Sequence, residues 1–97
     1  MAQPQRLGLA AFGDSALRRL AALPGWELSG KEIRRVYAFP DFKGSMAFVN
    51  RVAGLAEAMD HHPDILVNYS RVTLTLTSHD AGGLTDRDFR LAGQIDS

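Results

Sequence analysis

From Phe42 onward, apolar residues recur at spacings of three and four, through Met46, Val49, Val52, Ala53 and Ala56, which is the period of one face of an α-helix. Asp41, directly after Pro40, is placed to cap this helix. Pro63 is placed to end it, because the residue before a proline, here His62, is pushed out of α geometry toward extended backbone. Further on the period changes. Val72, Leu74 and Leu76 alternate with Thr73, Thr75 and Thr77, the pattern of a β-branched strand with one face buried. The stretch from Ile65 to His79 is long enough for two strands broken near Asn68-Tyr69-Ser70. Upstream, Trp26-Glu27-Leu28, a turn at Ser29-Gly30-Lys31 and the run from Ile33 to Phe39 read as a hairpin. Ile33, Tyr37 and Phe39 share one face of the longer strand, and Arg35 interrupts it.

The ends of the chain complete the order. Residues 1–13 show no sustained period, contain Pro4, Gly8 and Gly13, and are expected to form a loosely held arm. Asp14 caps a short helix that carries Ala16, Leu17, Leu20 and Ala21 inward and stops before Pro24-Gly25. After a turn at Gly82-Gly83, Thr85-Asp86-Arg87-Asp88 has the form of a capping box with Asp in place of the usual Glu. Leu84 before the cap and Phe89 after it complete a hydrophobic staple, and a last helix runs to about Ile95, burying Phe89, Ala92 and Ile95. The order α-β-β-α-β-β-α, with antiparallel hairpins and helices on one face of the sheet, is that of an α+β two-layer sandwich. Residues 14–97 form its single domain.

Composition narrows the function classes. Ninety-seven residues fit one domain, and 45% hydrophobic against 23% charged residues is a globular composition. Eleven basic and eleven acidic residues cancel, so no bulk attraction to nucleic acid or an anionic membrane is expected. With no cysteine there is no disulfide, thiol nucleophile or Cys-based metal site. The run Leu7-Gly8-Leu9-Ala10-Ala11-Phe12 is too short for a good signal-peptide core, and no run approaches membrane-spanning length, so the expected location is cytoplasmic.

All three histidines, His61, His62 and His79, fall in one segment with carboxylates on either side. An unperturbed imidazole, with a pKa of about 6.5, gives and takes protons near neutral pH, so the cluster points to proton transfer or metal ligation. Glu57 and His61 are four apart at a helix end and share a face if the last turn holds. A histidine resting on the helix dipole is the ordinary reading of such a pair. His-His-Pro sharpens it, since the helix end and the proline fix both ring directions. Three histidines and two carboxylates also suggest a zinc or iron site, but adjacent histidines rarely ligate one ion and the His-x3-His pair is missing, so no metal is expected.

Glu57-x3-His61-His62-Pro63, then five residues to Tyr69, nine to His79 and eight to Asp88, resembles in full the signature of the pterin-4a-carbinolamine dehydratase family. The likeness runs from about Trp26 to Asp96 and includes Gly25-Trp26, Phe39-x-Asp41-Phe42, Arg71-Val72 and Thr77-x-His79-Asp80-x-Gly82-Gly83-Leu84-Thr85. It implies a four-stranded antiparallel sheet with three helices, in agreement with the order read from pattern. The reaction it implies removes water from a 4a-hydroxytetrahydropterin, the product of aromatic amino acid hydroxylases, giving quinonoid dihydropterin. A proton leaves N5 while the hydroxyl on C4a is protonated and departs, which asks for an acid and a base and for no cofactor. Such catalysis contributes about 10²–10⁴-fold.

The resemblance implies that His61, His62 and His79 are the catalytic residues and leaves open which is acid and which is base; the working expectation is that His62 or His79 protonates the hydroxyl while His61, tuned by Glu57, handles the N5 proton. Glu57, Pro63, Arg87 and Asp88 are expected on the substrate side, Glu57 and Asp88 orienting imidazoles or the pterin amide edge, and main-chain groups of Ser78 and Asp80 are expected to line the site around His79. Asp88 has a second reading as a capping-box acid, Arg87 as a solvated residue at a helix start, and Tyr69 as a packing residue. Trp26 is large enough to wall a pterin pocket, although a lone Trp in a small domain is more often core. Family members assemble as homodimers or homotetramers. Relatives of this fold also serve as non-catalytic interaction or assembly modules, which tend to lose the histidines that this chain keeps.

Overall fold

In the computed structural model of the chain, residues 17–97 are described. The arm over residues 1–13 and the cap at Asp14 lie outside them, as does Ala16. The order is α1 over residues 17–21, β1 (Glu27–Ser29), β2 (Glu32–Ala38), α2 (Phe42–Met59), β3 (Asp64–Asn68), β4 (Arg71–Leu76), a 3₁₀ turn (His79–Ala81) and α3 (Asp86–Asp96). The four strands form one antiparallel sheet in the order β1-β2-β4-β3. This is the α+β sandwich expected from the sequence.

Register explains the burial. Leu76 lies opposite Ile33, Leu74 opposite Arg35 and Ile65, and Val72 opposite Tyr37 and Val67, so these residues share the face that the helices cover. Ile33, Val72, Leu74 and Leu76 are fully buried with Val52 and Ala56 of α2 and Phe89, Leu91, Ala92 and Ile95 of α3. The opposite face carries Val36, Thr73 and Leu66 in one row, and Val36 (56%) and Leu66 (63%) are exposed. Arg35 interrupts the core face without leaving an orphan charge. Its guanidinium lies 4.6 Å from the Tyr37 ring centroid and donates to Pro24 O and to an Asp96 carboxylate oxygen.

Some expected core positions lie elsewhere. Leu17 and Ala21 are exposed, because Leu20 and Leu23 are the residues of this region packed on the core. In α2, Phe42 and Ala53 face solvent while Ser45 is fully buried. The Ser45 hydroxyl donates to the Tyr69 carbonyl at 2.7 Å, tying the start of α2 to the β3–β4 turn. Asp41 caps α2 as expected, accepting from Gly44 N at 2.8 Å. β4 ends at Leu76, so His79 belongs to the 3₁₀ turn and not to the strand.

Candidate active site

The site begins with how α2 ends. Asp60 adopts the left-handed conformation (φ 51°, ψ 44°), its N–H reaches Ala56 O and Glu57 O, and His61 N donates to Ala56 O at 3.1 Å. This is a Schellman closure, with Asp, which tolerates left-handed backbone better than most non-glycine residues, at the position where glycine is usual. The helix is therefore closed three residues before Pro63, and the proline guides an exit already made. Because His61 lies beyond the last helical turn, it does not share a face with Glu57. The expected Glu57–His61 pair is replaced by Glu57 Oε2 to His62 Nε2 at 2.5 Å, both side chains being exposed.

His61 turns inward. It is 7% exposed, and its Nε2 lies 2.6 Å from Oδ1 of Asp88, which has no exposure at all. The other oxygen, Oδ2, accepts from the Ser78 hydroxyl at 2.8 Å and from the Thr85 backbone N–H at 2.9 Å. Thr85 in turn accepts from Arg87 N, closing the capping box at the start of α3. The capping-box reading of Asp88 holds, and the same carboxylate also orients an imidazole: one oxygen starts the helix and the other holds His61. As a carboxylate, Asp88 only accepts, so His61 Nε2 carries the proton and Nδ1 is the nitrogen left for exchange. Among the described residues no hydrogen bond to Nδ1 is found.

Strand pairing brings the rest to the same end of the sheet. Asp64 at the start of β3 pairs with Thr75 near the end of β4, so the residues just before β3 and those just after β4 emerge side by side. A bridge between Ser78 and Gly83 closes the loop that carries His79, with Ser78 N donating to Gly83 O and Gly83 N to Ser78 O. Gly82 (φ 73°) supplies the left-handed residue that the loop needs. The loop is tied to the first turn of α3 twice, by Ser78 to Asp88 and by Asp80 Oδ1 to Arg87 Nη2 at 2.8 Å. His79 sits between these two ties and is exposed. The Arg87 hydrogen bond holds the Asp80 carboxyl below the usual carboxylate range, and the Arg87 charge acts in the same direction.

The candidate residues thus separate. His61, Ser78, Asp80, Arg87 and Asp88 are joined by hydrogen bonds at the start of α3, His79 lies in the same tied loop, and His62 and Pro63 follow His61 in the chain, with Glu57 held to His62. Trp26 lies elsewhere: it is 4% exposed in the core, and its indole N–H donates to Asp96 Oδ2 at 2.8 Å, at the far end of α3. Tyr69 is 65% exposed with φ 53° in the β3–β4 turn, so its side chain does not pack within the chain. Arg87 is committed to Asp80. Sequence reasoning did not place the Thr85 hydroxyl or the Ser78 side chain in this network. The capping-box pattern signalled Thr85 as a cap, but nothing local signalled Ser78 as its partner. Among the described residues no group of three or more His, Asp or Glu is arranged to hold a metal ion, and no helix is long and apolar enough to cross a membrane.

The fold and the site together define a small α+β domain in which two neighbouring histidines are each held by a carboxylate, beside a third histidine on a tethered loop. Residues 12–97 match the family model described as Pterin 4 alpha carbinolamine dehydratase, and the chain belongs to that family. It is 57% identical over 79 residues to a protein of Acidobacterium capsulatum provisionally named pterin-4-alpha-carbinolamine dehydratase, covering 81% of this chain and 86% of the relative. A Thermomicrobium roseum protein with the same provisional name is 54% identical over 88 residues, covering 90% and 95% respectively. Among solved structures, a transcriptional coactivator/pterin dehydratase from Brucella melitensis superposes with a TM-score of 0.82 at 34% identity, over 86% of this chain and 90% of that one. A pterin dehydratase-like protein identified as a RuBisCO assembly factor in the alpha-carboxysome superposes with a TM-score of 0.63 at 25% identity, over 74% and 86%.

Proposed function

We propose that the protein dehydrates a 4a-hydroxytetrahydropterin to quinonoid dihydropterin and water by histidine acid–base catalysis, in the recycling of the pterin used by aromatic amino acid hydroxylases. The observation that carries this reading is the buried His61–Asp88 pair, 2.6 Å apart, beside two exposed histidines. Asp88 fixes the Nε2–H tautomer of His61 and offsets the charge that its ring acquires, the role a carboxylate plays behind a catalytic histidine elsewhere. His61 Nδ1 then takes the N5 proton of the pterin. His79, which has no side-chain hydrogen bond or ion pair among the described residues, protonates the C4a hydroxyl. His62, held by Glu57, orients the ring. The pterin is the substrate, and no cofactor or metal enters this scheme.

Stopped-flow absorbance of the decay of enzymatically generated 4a-hydroxytetrahydropterin tests it, with wild-type protein, a His61→Ala/His62→Ala double variant, the single variants His62→Ala and His79→Ala, and added chelator. The wild type accelerates the decay with or without chelator, the double variant loses roughly 10² or more of that acceleration, and His79→Ala loses more than His62→Ala alone. The opposite order of the two single variants would exchange the roles of His62 and His79.

A non-catalytic interaction module is the alternative, favoured by the likeness to the RuBisCO assembly factor and by the exposed apolar row of Val36 and Leu66. No acceleration by folded wild-type protein would select it. The exposed edge strand β3 supports assembly into a homodimer or homotetramer, which sedimentation equilibrium measures. The proposed location is the cytoplasm.

A further inference from the structure

We propose that Ser78 is a positioning residue, whose hydroxyl sets the orientation of His61 through Asp88 while its backbone sets the position of His79. This rests on the dehydratase reading for its effect on catalysis, but not for its effect on the imidazole.

Hydrogen-bond donors and acceptors fix the direction of the chain. Asp88 Oδ2 only accepts, so Ser78 Oγ spends its one proton there, at 2.8 Å. The contact between Ser78 Oγ and Thr85 Oγ1, also 2.8 Å, must then run from the Thr85 hydroxyl to Ser78. Thr85 Oγ1 accepts from Arg87 N at 3.3 Å, and Asp88 Oδ1 accepts from His61 Nε2. One series of donors therefore runs from the first turn of α3 through two hydroxyls into the Asp88 carboxylate, which the His61 N–H enters from the other side. Ser78 is 1% exposed, so water is poorly placed to replace its hydroxyl, and without it the carboxylate loses one of the two donors on Oδ2. The same residue anchors the loop carrying His79 through both backbone bonds to Gly83. A side chain buried under the site thus holds one histidine while its main chain aims another.

The test compares Ser78→Ala, Ser78→Cys and Ser78→Thr with wild type by nitrogen-15 imidazole spectra, by hydrogen exchange of the His61 ring proton, and by dehydration kinetics. The wild type shows His61 as the Nε2–H tautomer with a slowly exchanging ring proton. Ser78→Ala mixes the tautomers, speeds exchange, and lowers kcat about tenfold with KM little changed, as expected when a reacting group loses its alignment. Ser78→Thr, which keeps the hydroxyl, restores the spectrum and the rate. Ser78→Cys, close in size with a weaker donor, falls between and carries the test if Ser78→Ala does not fold. An unchanged tautomer and exchange rate in folded Ser78→Ala or Ser78→Cys would overturn the proposal. If wild-type protein has no dehydratase activity, the proposed function fails while the imidazole spectra still decide the role of Ser78.

Discussion

The two ends of α3 carry polar clusters of similar make-up and opposite use. At the start, Asp88 collects His61, Ser78 and the Thr85 N–H, and one imidazole nitrogen is left over. About 12 Å along the axis, Asp96 collects the Trp26 indole, Arg35 and the Tyr37 hydroxyl, while Arg51 donates to the carbonyls of Gln94, Ile95 and Ser97 at the open end of the helix. Every partner at that second end is consumed within the fold. Hydrogen bonding that saturates a cluster makes a staple, whereas hydrogen bonding that fixes a titratable ring and leaves one nitrogen over makes a site.

The sharpest break of this comparison is at Asp88. Asp88→Ala removes the capping box and leaves His61 and Ser78 without their acceptor, so it should cost about 3 kcal/mol of stability and lower kcat by roughly 10² or more. Denaturant unfolding and stopped-flow kinetics read both. Asp96→Ala should cost about 2 kcal/mol, since it strands a buried indole N–H, and leave kcat unchanged at temperatures where the variant is folded. A fall in kcat there would show that the two ends are not separate in function.

The same cluster predicts a pH dependence. Burial first, and the Asp96 hydrogen bond second, push the Tyr37 phenol above its usual value of about 10. The folded chain then holds the Tyr37 proton where the unfolded chain has released it. Stability linked to Tyr37 is thus complete below about pH 10 and is lost as pH rises beyond it. Phenolate absorbance should show Tyr37 ionising at lower pH in Asp96→Ala than in wild type. Gly25→Ala comes next. At φ 92°, with the new Cβ 2.7 Å from a guanidinium already bonded to Pro24 O and Asp96, it should cost about 1–2 kcal/mol by thermal unfolding.

The smallest effect belongs to Asp80. Asp80→Asn removes the ion pair to Arg87 from an exposed loop, so unfolding should be unchanged while kcat falls a few-fold through looser placement of His79. In wild type the pair is intact above pH of about 4 and is lost as pH falls through the lowered value of Asp80. A stability loss larger than the activity loss would place Asp80 with the staple instead of the site.

Local pattern determined much of this molecule. The 3.6 period of α2, the alternation along β4 and the Thr85–Asp88 capping box each depend on residues within a few positions of one another, and each is present in the structure. The same holds for the clustering of histidines that directed attention to the site. Pairings across the fold were not available in this way. Glu57 is four residues from His61 and five from His62, and only the left-handed turn at Asp60, which no glycine marks, gives it to His62. Asp88 reaches His61 across 27 positions, and Trp26 reaches Asp96 across 70. Helix and strand periods are set by sterics between near neighbours, so the sequence carries them. Which carboxylate meets which ring is set by how α2 ends, how β3 pairs with β4 and where α3 packs, and only the tertiary structure decided that.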